Sequence, residues 1–270
     1  MNIRPLHALA KCIFPLLPQS DLLYRACRRY VDQCDGQNND EIHSNGELAL
    51  MRKVLPHCKT VFDVGANVGK WTRLALGIKP DLSIHCFEPS CTTFAALAEN
   101  VFPSGVTCNN FGLGSSQGTA NMCIYAEAGG TNSLYHRQGV ALATANVPVG
   151  SETVGLETFD RYCEREGITQ VDFVKIDVEG HELAVMTGMN ESLRRRRVGM
   201  IQFEYGGCDI DSRVFLKDIW SLFDGLPYCF YKIHPRGLRK APEYGQQFEN
   251  FQCQNWVIVR EGVRLHDAEG

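Results

Sequence analysis

The chain has 270 residues, 44% of them apolar, and a formal net charge of −4. This is apolar material enough for one large α/β domain with an N-terminal appendage, and the lack of a basic field argues against a nucleic-acid or other polyanion partner. Twelve cysteines without a Cys-x-x-Cys spacing, several of them (Cys86, Cys108, Cys253) inside apolar runs, read as reduced buried thiols and imply a reducing, cytoplasmic location.

The N-terminal run Leu6 to Leu17 is interrupted by His7, Lys11 and Pro15, is too short to span a membrane and lacks a small-residue cleavage signature. Residues 1–30 carry Arg4, Lys11, Arg25, Arg28 and Arg29 against Asp21, so weak contact with an anionic membrane surface stays open beside the expected reading, a helical cap. Residues 32–43 are polar and acidic and read as a linker. The expected domains are therefore 1–43, cap and linker, and 44–270, the main domain. Ser44 and Glu47 have the spacing of a capping box for a helix ending near Pro56.

A β-α alternation follows: strand 60–64, helix 70–77, strand 82–87, helix 91–101 and strand 105–109. That pattern predicts a parallel sheet with right-handed crossovers. Residues 112–155 break the alternation with short strands and loops. It resumes with helix 156–166, a buried strand Val171–Asp177, helix 182–195, a buried strand 199–205, and a helix 214–223 facing inward through Phe215, Ile219, Leu222 and Phe223. Tyr228–Ile233 and Asn255–Val259, beyond the turn His234-Pro235-Arg236-Gly237, are expected to close the sheet with an antiparallel pair.

Chemistry concentrates in two places. The first is Asp63-Val64-Gly65-Ala66-Asn67-Val68-Gly69, between a strand and a helix, with Glu88 ending the next strand. Amides of such a turn can face a ligand, and a carboxylate at the second strand end can accept from both hydroxyls of a ribose. A dinucleotide fingerprint requires glycine where Asn67 stands. Asp63 offers a polar anchor instead, which suits an aminoacyl nucleoside with an ammonium group. An ordinary tight turn is the alternative.

The second is Lys175-Ile176-Asp177-Val178-Glu179-Gly180-His181-Glu182. If 171–176 is a parallel strand, Asp177, Glu179, His181 and Glu182 lie at or past its carboxyl end, on the ligand crevice. His181 is the natural general base, with Glu179 or Glu182 orienting its ring. The competing reading has both glutamates favouring a helix N-terminus. Asp177 and Glu179 lack a further metal ligand at diagnostic spacing, so no metal is expected. Glu204, ending another strand, is a candidate for a substrate hydroxyl. Arg194–Arg197 read as a helix C-terminal charge run, with phosphate binding as the alternative.

Together the two runs, with Phe87-Glu88-Pro89, Asn45-Gly46-Glu47, Asn110 and Asn255, resemble the FkbM family of S-adenosylmethionine-dependent methyltransferases from about Asn45 to Val259. The resemblance implies a class I methyltransferase fold, Rossmann-like, with a seven-stranded, mostly parallel sheet whose last strand is antiparallel. It implies O-methylation of a hydroxyl, in a sugar of a glycan or glycolipid or in a secondary metabolite. Carried over, Asp63, Gly65, Asn67 and Gly69 hold the methionine part of S-adenosylmethionine, Glu88 the ribose and Asn110 the adenine edge. His181, Asp177 and Glu179 are then the catalytic candidates, and Glu182 and Glu204 the substrate-binding ones. Glu157 stands where the family commonly has aspartate, and residues 119–150 do not align with it. The rival functions are a nicotinamide-dependent oxidoreductase or epimerase, which Asn67 disfavours, and a catalytically silent methyltransferase-like binding protein, which the retained carboxylate and histidine cluster disfavours.

Overall fold

The computed structural model describes residues 13–16, 20–126, 129–137 and 147–265. Most of the apolar run Leu6 to Leu17 therefore lies outside the described residues, as does part of the segment 119–150. The chain divides into two compact units, Met1–Gln37 and Asn38–Gly270. In the first, helix α1 (Asp21–Asp35) starts at Ser20, whose side chain accepts from the Leu23 amide, and stops at Gly36 in the left-handed region. It includes residues 32–35, which the sequence reading had placed in a linker.

The second unit opens with α2 (Glu47–Val54). Its N-cap is Gly46, so the expected Ser44–Glu47 capping box does not form. Glu47 turns inward instead and accepts from Asn45 Nδ2 (2.6 Å), Asn255 Nδ2 (3.1 Å) and Gln202 Nε2. A buried carboxylate needs such donors, and they outcompete a solvent-exposed cap.

β1 (Thr60–Val64), α3 (Lys70–Ile78), β2 (Ser83–Phe87), α4 (Cys91–Ala98) and β3 (Val106–Asn109) then alternate. β4 (Gly112–Leu113), β5 (Gly118–Ile124) and β6 (Gly150–Glu157) form a separate three-stranded sheet in the order β4-β6-β5. Leu156, expected to open a helix, thus ends a strand. Thr158 caps the helix that follows, α5 (Phe159–Arg165), by accepting from the Arg161 amide. β7 (Val171–Ile176) leads to α6 (Glu182–Thr187) and α7 (Asn190–Arg194), two helices where one over 182–195 was expected. The break falls at Gly188, where an added Cβ would lie 2.2 Å from the Gly114 carbonyl oxygen, and Asp160 caps α7 through the Glu191 and Ser192 amides.

β8 (Val198–Tyr205), α8 (Cys208–Ser212), α9 (Leu216–Ser221), β9 (Tyr228–His234), β10 (Gly237–Ala241) and β11 (Gln254–Arg260) complete the unit. Phe215 lies outside α9 and is exposed, against the inward position expected for it, whereas Ile219 and Phe223 are buried.

The main sheet runs β10-β9-β11-β8-β7-β1-β2-β3. From β8 to β3 its neighbours are parallel, and β11 is antiparallel to both β8 and β9. This is the class I methyltransferase architecture. Its eighth strand is β10, which pairs with β9 in register Gly237 with His234 after the turn at Pro235 and Arg236. The parallel strands are buried on both faces. Val61 and Phe173 pack on one side with Trp71 and Leu55, while Phe62 and Val174 pack on the other with Phe159 and Tyr162. β1 separates strands that succeed one another outward in both directions, so the crevice at its carboxyl end is the sheet's switch point. Among the described residues no helix is long and apolar enough to cross a membrane.

Candidate functional site

At that switch point lies a cavity open to solvent, in the place where parallel α/β sheets bind their ligands. Its walls come from the β1–α3 turn (Gly65, Asn67), the end of β2 (Phe87, Glu88), the loop after β7 (Asp177, Val178, Glu179, His181), the small sheet (Leu113, Met122, Leu156) and the loop 129–134.

The β1–α3 turn is closed upon itself. The Gly65 and Ala66 amides both donate to the Phe87 carbonyl at 3.0 Å, the Asn67 amide to Glu88 Oε2 at 3.0 Å, the Val68 amide to its neighbour Asn67 Oδ1 at 2.6 Å, and the Gly69 amide to the Ala66 carbonyl at 2.8 Å. The expectation that these amides face a ligand is therefore corrected: the end of β2 and the Glu88 carboxylate take three of them, and the turn's own Asn67 side chain and Ala66 carbonyl take the other two. Gly65 is required for another reason. Its φ is +82°, and a Cβ there would sit 1.9 Å from the Asp177 carbonyl oxygen.

Glu88 accepts from the Asn67 and Ser90 amides, each at 3.0 Å, and burial pushes its carboxyl up to about 7. Asp63 lies beneath the turn, buried, with Thr72 Oγ1 donating to it at 2.6 Å; burial raises it to about 6. Gly69 is the α3 N-cap, and Asn110 donates from its amide to the Glu88 and Pro89 carbonyls. None of these last three residues lines the cavity, whereas Gly65, Asn67 and Glu88 do.

On the opposite wall Asp177 receives Lys175 Nζ at 2.8 Å. Burial opposes the Lys175 charge, but Asp177, Glu47 and Asp63 together raise its pKa. Glu179 is raised to about 8 by burial, then by Asp177, despite its ion pair with Arg137. His181 is lowered to about 4 by burial, so the imidazole is neutral near pH 7; its Nδ1 is 3.0 Å from the Tyr135 hydroxyl, and its Nε2 is buried without a hydrogen-bond partner among the described residues. Glu182 and Glu204 do not line the cavity. Glu182 is buried, accepts from the Val178 amide at 3.1 Å and is raised well above the usual carboxylate range by burial and by Asp209. Glu204 is raised to about 7 by burial and by Asp177.

Sequence reading missed the contribution of Met122, Asn132 and Leu134 to the walls, and of Ser133, Tyr135 and Arg137 behind them. Ser133, Tyr135 and Arg137 fall on an isolated bridge, a bend and irregular backbone, so no periodicity marked them and nothing local named the loop they meet.

These ionisations set a pH dependence. Glu88, Glu179, Glu204 and Asp209 have folded-state pKa values of about 7 to 8, against roughly 4 in an unfolded chain. The folded state thus binds protons that the unfolded state has released, and the stability this contributes is lost as pH rises through 7 to 8. His181 has the opposite sign, but its contribution is complete above the unfolded value of about 6.5. Between about pH 6.5 and 8 the Tm of the ligand-free protein is expected to fall, with Glu179→Gln flattening the slope in thermal unfolding. A Tm that rises over this window would contradict the protonation states assigned here.

Three comparisons bear on the site. The family model described as the methyltransferase FkbM domain matches residues 63–229. Among curated relatives, the chain is 28% identical over 167 residues to hexuronic acid methyltransferase AglP of Haloferax volcanii, covering 60% of this chain and 64% of that protein. It is 28% identical over 156 residues to 31-O-demethyl-FK506 methyltransferase FkbM of Streptomyces tacrolimicus, covering 49% and 60%. It is 26% identical over 177 residues to 2-O-methyltransferase NoeI of Sinorhizobium fredii, covering 60% and 68%. The matched region thus spans less than two thirds of the first two relatives' lengths. A solved methyltransferase FkbM from Methylobacillus flagellatus superposes with a TM-score of 0.46 at 15% identity, over 75% of this chain and 44% of that one.

Proposed function

Because the chain belongs to the FkbM methyltransferase family, we propose that it is an S-adenosylmethionine-dependent O-methyltransferase that methylates a hydroxyl, of a sugar in a glycan or glycolipid or of a secondary metabolite. The observation that carries this reading is the cavity's polarity. Glu88, Asp177 and Glu179 line it, no lysine or arginine does among the described residues, and the turn amides 65–69 are already bonded. A diphosphate would meet carboxyl groups and no free amide of the turn 65–69, whereas a nucleoside bearing a sulfonium and an ammonium finds carboxyl oxygens and apolar walls.

When bound, S-adenosylmethionine supplies an electrophilic methyl group. The chain's own residues do the rest. Glu88 binds the ribose hydroxyls, and Gly65 and Asn67 shape the turn beneath the amino-acid part, supported from behind by Asp63 and Gly69. Asn110 acts on the nucleoside through the Glu88–Pro89 backbone that it holds. On the facing wall Asp177, Glu179 and His181 meet the acceptor. An alkyl hydroxyl is a weak nucleophile at neutral pH, so alignment of its oxygen with the methyl carbon and removal of its proton are what the wall must provide. A neutral His181 on this wall is the candidate for the second task. Glu182 and Glu204 back this wall and set its charge. The hexuronic acid named for one relative favours a sugar as the acceptor. An N-terminal cap and linker over 1–43, a methyltransferase domain over 44–270 and a cytoplasmic site of action belong to the same reading.

Calorimetric titration with S-adenosylmethionine, S-adenosylhomocysteine and NAD tests it. Binding of both sulfur nucleosides and not NAD is expected, followed by label transfer from methyl-labelled cofactor to a uronic-acid oligosaccharide. Binding of NAD alone would overturn the reading in favour of an oxidoreductase. Cofactor binding with no transfer across a broad panel of hydroxyl acceptors would mark a silent binding protein.

A further inference from the structure

The cavity walls carry little that can donate a hydrogen bond. Among the described residues that line it, the side-chain nitrogens belong to Asn67, Asn132 and His181. Asn67 Nδ2 donates to the Gly129 carbonyl at 3.1 Å, His181 Nδ1 faces the Tyr135 hydroxyl, and His181 Nε2 is buried. Asn132 differs from both. Its Oδ1 accepts from the Tyr125 amide at 2.9 Å and from the Ala126 amide at 3.4 Å. Backbone amides only donate, so the oxygen of this carboxamide must be the atom that faces them, and its nitrogen is turned the other way. Nδ2 has no hydrogen-bond partner among the described residues, yet it is not sealed in the interior as the orphan Trp71 Nε1 and Trp256 Nε1 are. With only 9% of the residue exposed, that nitrogen is a fixed donor on the cavity wall.

The loop is tied down on both sides of Asn132. Three residues before it, the bond from Asn67 to the Gly129 carbonyl joins the loop to the β1–α3 turn. One residue after it, Ser133 Oγ donates to the Glu179 carbonyl at 2.7 Å, and Ser133 exchanges both backbone hydrogen bonds with Cys123 of β5. Gly129 and Gly130 line the cavity between Asn67 and Asn132 without a side chain in the way. What the donor meets there follows from charge. The methionine part of S-adenosylmethionine brings a sulfonium, an ammonium and a carboxylate. Oxygens of Glu88, Asp177 and Glu179 suit the first two. The carboxylate finds no lysine or arginine among the described lining residues, and the amides 65–69 are bonded already. An anion brought into a part-closed site needs a donor.

We propose that Asn132 anchors the α-carboxylate of S-adenosylmethionine, donating from Nδ2 while the Tyr125 and Ala126 amides hold its Oδ1. The proposal rests on the methyltransferase reading, and it adds a residue from the segment 119–150 to the cofactor site. A uronic-acid acceptor would also bring a carboxylate, but the tie between Gly129 and the turn beneath the amino-acid part places this donor on the cofactor's side. Asn132→Asp isolates the role. Aspartate keeps an oxygen for the two amides, and so keeps the loop, while it replaces the donor with a second acceptor.

The test is calorimetric titration of the full chain, wild type and Asn132→Asp, with S-adenosylmethionine and with its decarboxylated analogue. No acceptor is present, so a carboxylate on a sugar cannot contribute. S-adenosylmethionine is expected to bind Asn132→Asp about ten- to a hundredfold more weakly than wild type, the size of one hydrogen bond to a charged group. The decarboxylated nucleoside should bind the wild type about tenfold or more weaker than S-adenosylmethionine does, and should bind the two proteins within about threefold of each other. Such coupling between one ligand group and one side chain marks a direct contact, which a general loosening of the loop does not produce. Equal affinity of the wild type for both nucleosides, or a loss in Asn132→Asp that is absent or the same for both, would overturn the role of Asn132 alone. A wild type that binds neither nucleoside overturns the methyltransferase reading and this role with it.

Discussion

Glu88→Ala is expected to weaken S-adenosylmethionine binding by about two to four orders of magnitude. Above about pH 8, where the Glu88 carboxyl raised to about 7 is ionised, two ribose hydroxyls bonded to it contribute roughly 1.5–3 kcal/mol each, and every 1.4 kcal/mol is about tenfold in affinity. The carboxylate also has a task within the protein, since its two oxygens receive the Asn67 and Ser90 amides. Alanine strands both donors beside the cavity and loosens the turn, which adds to the loss. Glu88→Gln separates the two roles. One amide oxygen is retained, the charge is removed, and a loss of about tenfold is expected from the weaker neutral hydrogen bonds. Calorimetry reads both variants against the wild type. If Glu88→Ala binds the cofactor within about threefold of wild type, Glu88 is not the ribose ligand, and the nucleoside must lie elsewhere in the cavity.

Gly65→Ala is expected to destabilise the fold by about 4 kcal/mol or more, at the upper end of single-residue effects. Two causes act together. At φ +82° any side chain is strained, and the new Cβ would meet the Asp177 carbonyl at 1.9 Å. That carbonyl cannot retreat alone, because the Asp177 amide donates to the Val64 carbonyl at 2.9 Å and so ties the end of β7 to β1. The expected fall in Tm is about 10 °C. Gly77→Ala is the contrast. Gly77 lies in α3 with no atom within 4 Å of an added Cβ. There alanine should stabilise by about 0.5–1 kcal/mol through its better helix propensity. Thermal unfolding of both variants separates the specific clash from a general cost of replacing glycine. Equal Tm values for Gly65→Ala and wild type would mean that the two strand ends part freely and that the cavity floor is not rigid.

Both expectations concern residues that local sequence singled out, and the reason is physical. A strand buried on two faces demands a mostly apolar run, as in Val61–Val64 and Val171–Ile176, where the buried Asp63 and Lys175 are each met by a polar partner. Glycine and a carboxylate just past such a run mark a turn at the ligand edge of a parallel sheet. The order of strands, the switch point at β1 and the convergence of Glu88, Asp177, Glu179 and His181 on one cavity follow from that alternation. The approximate helix ends were legible for the same reason, but the break between α6 and α7 was not. It is produced by Gly114, more than seventy residues away in the chain, packing against Gly188.

What only the tertiary structure decided is how polar groups are spent. The amide-rich turn 65–69 looked open to a ligand, and a carbonyl and a carboxylate from the next strand close it. Ser44 and Glu47 had the spacing of a local cap, yet Glu47 is claimed by Asn255 and Gln202 from distant strands. Ser133, Tyr135 and Arg137 carry their meaning in the loop 179–181, over forty residues onward. Hydrophobic periodicity is written locally, because each strand or helix must bury its own face. Hydrogen-bond partners of buried polar groups are settled by whichever donors and acceptors the packed chain brings within about 3 Å. For this protein the alternation of apolar runs determined the sheet and the place of its site, and long-range polar pairing determined which atoms of that site are left free to act.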